Sequence, residues 1–423
     1  MPQLHIATFR TDVTPPLGHP LCGGSLQALG VVLLGGSKPV VFCVLDWVAV
    51  RNEAFRSWRA ALAEAAHTTP EHVHVHAVHP HNAPFADTEA QRLIAAARAP
   101  ASLDLPYFED CVKRSADALR AALPWARRFT HVGTGTARVT EVASNRRIVI
   151  DGMARFSRTS ATKNREVREY PEGLIDPVLR TLSFWDGDRP LAALHFYACH
   201  PMSYYGDGRV SADFCGLARQ KMQDDHPAVF QVYFNGCGGN VTAGKYNDGA
   251  RENRTVLRDR MHAAMTASWR ATTRAAVDGF EWRFEPVKLL PRREPAFGEA
   301  ASRALLNDAT ATAARRGNAA FQLAWLKRIG TPIEVGCLDF GGRVLTLHLP
   351  GEAFVEYQLA AQRMRPDANV FVAAYGDDGP GYIPTARAYI EGGYEPTVAL
   401  ASADSEELLL RAARRLLKAE GKN

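Results

Sequence analysis

Val73-His74-Val75-His76-Ala77-Val78-His79-Pro80-His81-Asn82-Ala83-Pro84 opens as an alternating β-branched strand and closes on a histidine pair. Proline lacks the N–H that a ladder needs, so the strand is predicted to end near Pro80. Alternation puts Val73, Val75 and Ala77 on one face. The same parity predicts that His79 leaves on that apolar side, with His81 turning toward the same spot. His72, His74 and His76 point the other way. Two imidazoles at the carboxyl end of a buried strand, beside an Asn-Ala-Pro turn, suit a metal-binding corner.

Three later segments offer partners to that corner. Leu191–Ala198 reads as a strand running into Cys199-His200-Pro201, which repeats the pattern of His79-Pro80. Alone, His200 fits a hydrogen-bonded core histidine as well as a ligand. Glu352 follows Leu349-Pro350-Gly351 at the end of a second strand, where it suits either a ligand or the first turn of a helix over Ala353–Arg363. Tyr382 sits in the loop Asp377-Asp378-Gly379-Pro380-Gly381-Tyr382-Ile383-Pro384-Thr385. Two histidines and a glutamate form a catalytic zinc set with a position left open. Zinc lowers the pKa of bound water to about 7 and polarises carbonyls, which are the two effects amide hydrolysis requires.

Outward from these motifs the chain alternates strands and helices. Strands are predicted over Gly30–Leu34, Pro39–Val50, Val229–Phe234 and Val370–Tyr375, with a hairpin of Val335–Phe340 and Val344–Leu349 around Gly341-Gly342. Helices are predicted over Asn52–Ala66, Leu105–Leu123, Ala212–Gln223, Glu252–Ala271 and roughly Phe297–Ile329. A last helix is expected over about Asp404–Lys418, with an Asp-x-x-Glu capping start. Ser157–Glu172 reads as a charged, mobile loop, and no internal repeat is visible. The pattern predicts a mixed α/β protein, a β-sheet core flanked by helices, with 1–423 as a single domain and its special residues just after strands.

The 423 residues, 46% hydrophobic, can bury a large core, and the net charge of +5 is small for that length. Basic residues are scattered among acids, which argues against nucleic-acid binding. No run reaches transmembrane length, and the amino terminus lacks a signal-peptide pattern. Seven cysteines cannot all pair, so free thiols and a reducing, cytoplasmic setting are expected. Cys237 lies in Gly236-Cys237-Gly238-Gly239, which is not a nucleophile elbow. The glycine-rich run Asn235–Thr242 suits either positive φ angles or substrate contact.

The motifs together resemble those of the neutral/alkaline, non-lysosomal ceramidase family, zinc amidases that cleave the N-acyl bond of ceramide. Asp12-Val13-Thr14-Pro15-Pro16 is similar to that family's opening Asp-Ile-Thr-Gly-Pro, and His79-Pro80-His81-Asn82-Ala83-Pro84 to its His-Thr-His-Ser-Gly-Pro. Asn145-Arg146, Ala198-Cys199-His200-Pro201-Met202-Ser203, Pro350-Gly351-Glu352, and Tyr382–Thr385 with Tyr389 resemble further family motifs in the same order. The resemblance implies a ceramidase-like fold and one Zn2+ per chain on His79, His200, Glu352 and Tyr382. It also implies an N-acyl, small-molecule or lipid-like substrate. His81 would relay a proton, Tyr382 would stabilise the oxyanion, and Arg146 would lie next to the substrate. Gly239-Asn240-Val241-Thr242-Ala243 stands where the family has Gly-Asp-Val-Ser-Pro, so Thr242 keeps a hydroxyl while Asn240 loses the carboxylate. Gly239, Asn240 and Asn145 are then expected at the substrate. The chain would be a short member without the family's carboxy-terminal immunoglobulin-like domain. A zinc esterase or lactonase, or an inactive binding module keeping the fold, are the alternatives.

Overall fold

Val73–Ala77 forms the strand its alternation predicts, and all five residues are buried, the histidines included. The His74 ring lies 4.3 Å from that of His348, and His76 Nε2 accepts the Asn235 amide at 2.9 Å. Both faces of the strand are covered, so its histidines meet rings and backbone in place of solvent. The computed structural model describes residues 3–16, 24–204, 206 and 208–419. Cys22 lies outside them; the six described cysteines are free and buried.

Three units of one topology follow each other along the chain. The first runs β1 (His5–Asp12), β2 (Gln27–Leu34), β3 (Val40–Leu45), α1 (Asn52–Ala65), β4 (Val73–Ala77) and α2 (Leu105–Ala122). The second runs β5 (His131–Arg138), β6 (Val178–Asp186), β7 (Arg189–Tyr197), α3 (Asp213–Asp225), β8 (Phe230–Asn235) and α4 (Asn253–Arg270). The third runs β9 (Glu281–Val287), β10 (Ile333–Phe340), β11 (Val344–His348), α5 (Val355–Met364), β12 (Asn369–Ala373) and α6 (Ser405–Leu416). In each unit three strands pair antiparallel in chain order. The fourth then adds parallel to the third across its helix. The crossover helix packs on that fourth strand and the second helix on the first strand, in all three units. The sequence shows no repeat because the units share burial pattern and not residues: β3 reads Val-Val-Phe-Cys-Val-Leu, where β11 reads Val-Leu-Thr-Leu-His.

The core sits where the three sheets meet. Phe42 of β3, Phe234 of β8 and His348 of β11 touch pairwise, with ring centroids 6.3, 4.9 and 5.9 Å apart. On the outside of the first sheet, Phe55, Trp58, Leu62 and Ala65 of α1 are buried, with Trp58 edge-on to Trp47 at 5.2 Å. Aromatic pairs of this kind add roughly 0.5–1.5 kcal/mol to their area burial. A separate small cluster joins helices Thr88–Ala96, Glu299–Asn307 and Ala313–Lys327 through Ile94, Leu306 and Leu323.

Several boundaries differ from the expectations. The stretch Phe297–Ile329 is two helices with a break between Asn307 and Ala313, and Thr88–Ala96 is a helix the spacing did not announce. Asp404 caps α6 without a side-chain bond, so the predicted capping box does not form. Ser157–Glu172 is anchored: Arg158 is buried and donates to the carbonyls of Asn145, Tyr170, Pro171 and Glu172. Among the described residues no helix is long and apolar enough to cross a membrane.

Candidate active site

The carboxyl ends of the three parallel strands are tied in a ring. The Ala77 amide donates to the Tyr375 carbonyl at 3.0 Å, and the Ala374 amide to the Asn235 carbonyl at 3.0 Å. The Asn235 amide closes the ring on His76 Nε2. Loops leaving this junction carry His79 and His81 past β4, His200 past β7, Glu352 past β11, and Tyr375 and Tyr382 past β12. Each unit therefore sends at least one chemically active side chain to the same place, as ligand sites at strand ends of α/β sheets do.

His79 does not keep the strand's parity. Its backbone turns at φ 76°, directly before Pro80, and that turn aims the ring. Nδ1 then donates to the Val48 carbonyl at 2.7 Å, leaving Nε2 as the free, unprotonated nitrogen. His200 is fixed in the same way, Nδ1 to the Gly238 carbonyl at 2.8 Å. Glu352 Oε2 stands 3.4 Å from His79 Nε2 and 3.3 Å from His200 Nε2. His79 Nε2 and Glu352 Oε2 are buried, and no protein hydrogen bond satisfies either. Lone pairs gathered in this way fit a metal ion, and backbone carbonyls holding the opposite ring nitrogens are what metal-ligating histidines use.

Two more donors are at hand. The ligand nitrogens of His79, His81 and His200 all lie within 4.8 Å of one another, with His81 the exposed member. The Tyr382 hydroxyl is 3.4 Å from His200 Nε2 and accepts from Arg146 Nη1 at 3.0 Å. Burial holds the His200 imidazole down to about 3, with Arg146 opposing protonation further, and burial also holds His79 well below the ordinary histidine range. Both rings are thus neutral at pH 7, the form that binds metal. Burial alone would lower the Arg146 pKa, but Tyr382, Glu395 and Glu352 around it carry it above the ordinary value.

The remaining sequence candidates sit elsewhere. Asn240 is fully buried; its Nδ2 donates to Glu356 Oε2 at 2.9 Å and its Oδ1 accepts the Val355 amide at 2.9 Å, which caps α5. Asn145 donates to the Leu174 carbonyl and accepts the Arg147 amide. Both asparagines line a separate cavity of about 550 Å³ with Arg147 and Glu391. Thr242 Oγ1 donates to the Arg158 carbonyl at 3.0 Å. Gly239 lies against the Glu352 backbone, where any Cβ would overlap the Glu352 carbonyl oxygen. Burial pushes the Cys237 thiol up, in keeping with an inert side chain.

Sequence reasoning missed Tyr375, whose ring packs 4.7 Å from that of His79 and whose backbone also takes a positive φ, 57°. The strand-end position shared with His79 was the available signal. It also missed Glu395, which faces Arg146 at 3.6 Å from a short helix, Tyr394–Val398, that no motif marks.

The fold is mixed α/β with a buried donor cluster at its strand ends, and solved structures share that fold. The neutral ceramidase from Pseudomonas aeruginosa superposes with a TM-score of 0.70 at 15% identity, covering 99% of this chain and 75% of that one. A structure described as ceramidase complexed with C2 matches with TM-score 0.70 at 16% identity and the same coverage. The fold is therefore ceramidase-like. Compared by sequence, the chain matches no family model and no curated protein.

Proposed function

We propose that the chain is a zinc-dependent hydrolase of an N-acyl amide bond and a member of the neutral ceramidase family, with residues 1–423 acting as one catalytic domain. The observation that carries the reading is the convergence of His79 Nε2, His200 Nε2 and Glu352 Oε2 on one buried point, with the His79 nitrogen and the Glu352 oxygen left without a hydrogen-bond partner. His79, His200 and Glu352 would hold the ion, with the Tyr382 oxygen next to them completing the set. Zinc bound there supplies a Lewis acid and an acidified water, the chemistry that amide hydrolysis needs. The six free thiols support a reducing, cytoplasmic setting.

The chain's own groups divide the rest of the work. Arg146 donates to the Tyr382 oxygen, which turns the phenol proton away from Arg146 and toward the site. Burial keeps the Tyr382 phenol well above its usual pKa, so it serves as a hydrogen-bond donor to negative charge growing on a carbonyl oxygen. His81 is exposed, its ring 4.9 Å from that of His79, and is placed to pass a proton to a departing amine.

The test is a panel of N-acyl amides of graded chain length with matched esters, assayed before and after metal removal. Amide cleavage that disappears with the metal and returns with zinc is the expected result. Cleavage of esters alone would move the assignment to a zinc esterase or lactonase. Turnover of neither, in metal-loaded protein, would leave a binding module.

A further inference from the structure

A second cavity, about 290 Å³, opens beside Glu352 and Tyr382 and is also lined by Arg51, Phe321, Gln322 and Tyr394. Arg51 belongs to the β3–α1 loop, so the first unit contributes a cation at the position from which the other two contribute His200 and Glu352. The guanidinium is held from one side. Nε and Nη2 both reach Asp378 Oδ2 at 2.7 Å, and the plane sits 4.5 Å from the Phe85 ring centroid and 5.5 Å from that of Phe321. Among the described residues no hydrogen bond reaches Nη1. Among the described residues the only acid lining the cavity is Glu352, which faces the two histidines. A rigid, stacked guanidinium with a free edge is a carboxylate receptor, because its planar donors match the planar acceptor.

We infer that Arg51 anchors a carboxylate on the substrate, so that the amide cleaved carries an anionic group on the short arm entering this cavity. The inference rests on the amide-hydrolase reading and deepens it. The carboxylate has two chemical sources: the amine side, as in an N-acylated amino acid, or the acyl side, as in an amide of a dicarboxylic acid. Asn318, Gln322 and Thr397 also line the cavity and add neutral polar groups. The cavity lies at the lower edge of the roughly 300–1,000 Å³ of small-molecule sites, which suits a short arm better than a long aliphatic one.

The experiment compares each carboxylate substrate with its uncharged carboxamide twin in the wild type and in the double variant Arg51→Gln/Asp378→Asn. The paired change avoids stranding a buried Asp378 charge, and thermal melting confirms that the variant folds. One carboxylate series should exceed its twin in kcat/KM by about 10- to 100-fold in the wild type, the scale of a charge-assisted hydrogen bond. That preference should collapse in the variant. A second arm titrates glutarate by calorimetry into the protein as purified, where binding should be present in the wild type and lost from the variant. Amides cleaved with no carboxylate preference, or with a preference the variant keeps, would overturn the role of Arg51 while leaving the hydrolase reading intact. Glutarate bound through Arg51 with no amide cleaved would support the anchor and sink the hydrolase reading instead.

Discussion

His79 carries two demands at once, a ring aimed at the donor cluster and a backbone at φ 76° ahead of a proline. Strain of this kind costs of order 1–3 kcal/mol and persists only where surrounding contacts over-determine it; here the Val48 and Trp47 carbonyls accept from the ring and the backbone. The identity of the candidate ligands was legible because each follows a strand, but their aim was not, since it depends on turns and on partners far away in sequence. Asn240 shows the limit. It sits two residues from Gly238, whose carbonyl orients His200, yet its amide is committed to α5, 115 residues on. Asn240→Asp removes the donor to Glu356 and sets two carboxylates together in a buried place, at a cost of about 1–3 kcal/mol. We expect the variant's melting temperature to fall further below wild type at pH 8 than at pH 5, where one shared proton restores a donor. An equal deficit at both pH values would contradict this placement. His81→Ala, by contrast, should keep the metal and lower kcat by roughly 10²-fold if His81 transfers a proton; an unchanged kcat would reduce it to a neighbour.

Helices were easier to foresee than their caps. α2 carries Pro106 in its first turn, and Asp104 caps it by accepting the Tyr107 amide at 3.1 Å. Thr88–Ala96 escaped notice because its cap, Asp87, is part of a buried network: it accepts the Ala90 amide at 3.0 Å and Asn52 Nδ2 at 2.7 Å. Burial raises the Asp87 carboxyl to about 6, with the two hydrogen bonds opposing it. The native state therefore holds a proton between roughly pH 4 and pH 6 that the unfolded chain has released, so this group's contribution to stability is lost as pH rises through that window. Asn at the same position caps equally well and does not titrate. The difference in melting temperature between Asp87→Asn and wild type should accordingly shift in the variant's favour from pH 4 to pH 7. A difference that stays constant across that range would mean that Asp87 is ionised throughout.

At the scale of the molecule, the element types were readable from period and punctuation, but their threefold arrangement was not. Nothing local says that β4, β8 and β12 end at one point, because that depends on the ring of bonds joining Ala77, Asn235 and Ala374 across distant segments. His79, His200 and Glu352 come from the first, second and third units, so an ion bound there would tie all three together. Elemental analysis of protein purified without chelator addresses this most directly. The wild type should carry about one zinc per chain, and His79→Ala and His200→Ala should each fall far below it, since each variant loses one of the two histidine ligands. Stoichiometric zinc retained in both variants, or a wild type that hydrolyses amides after complete metal removal, would contradict the account.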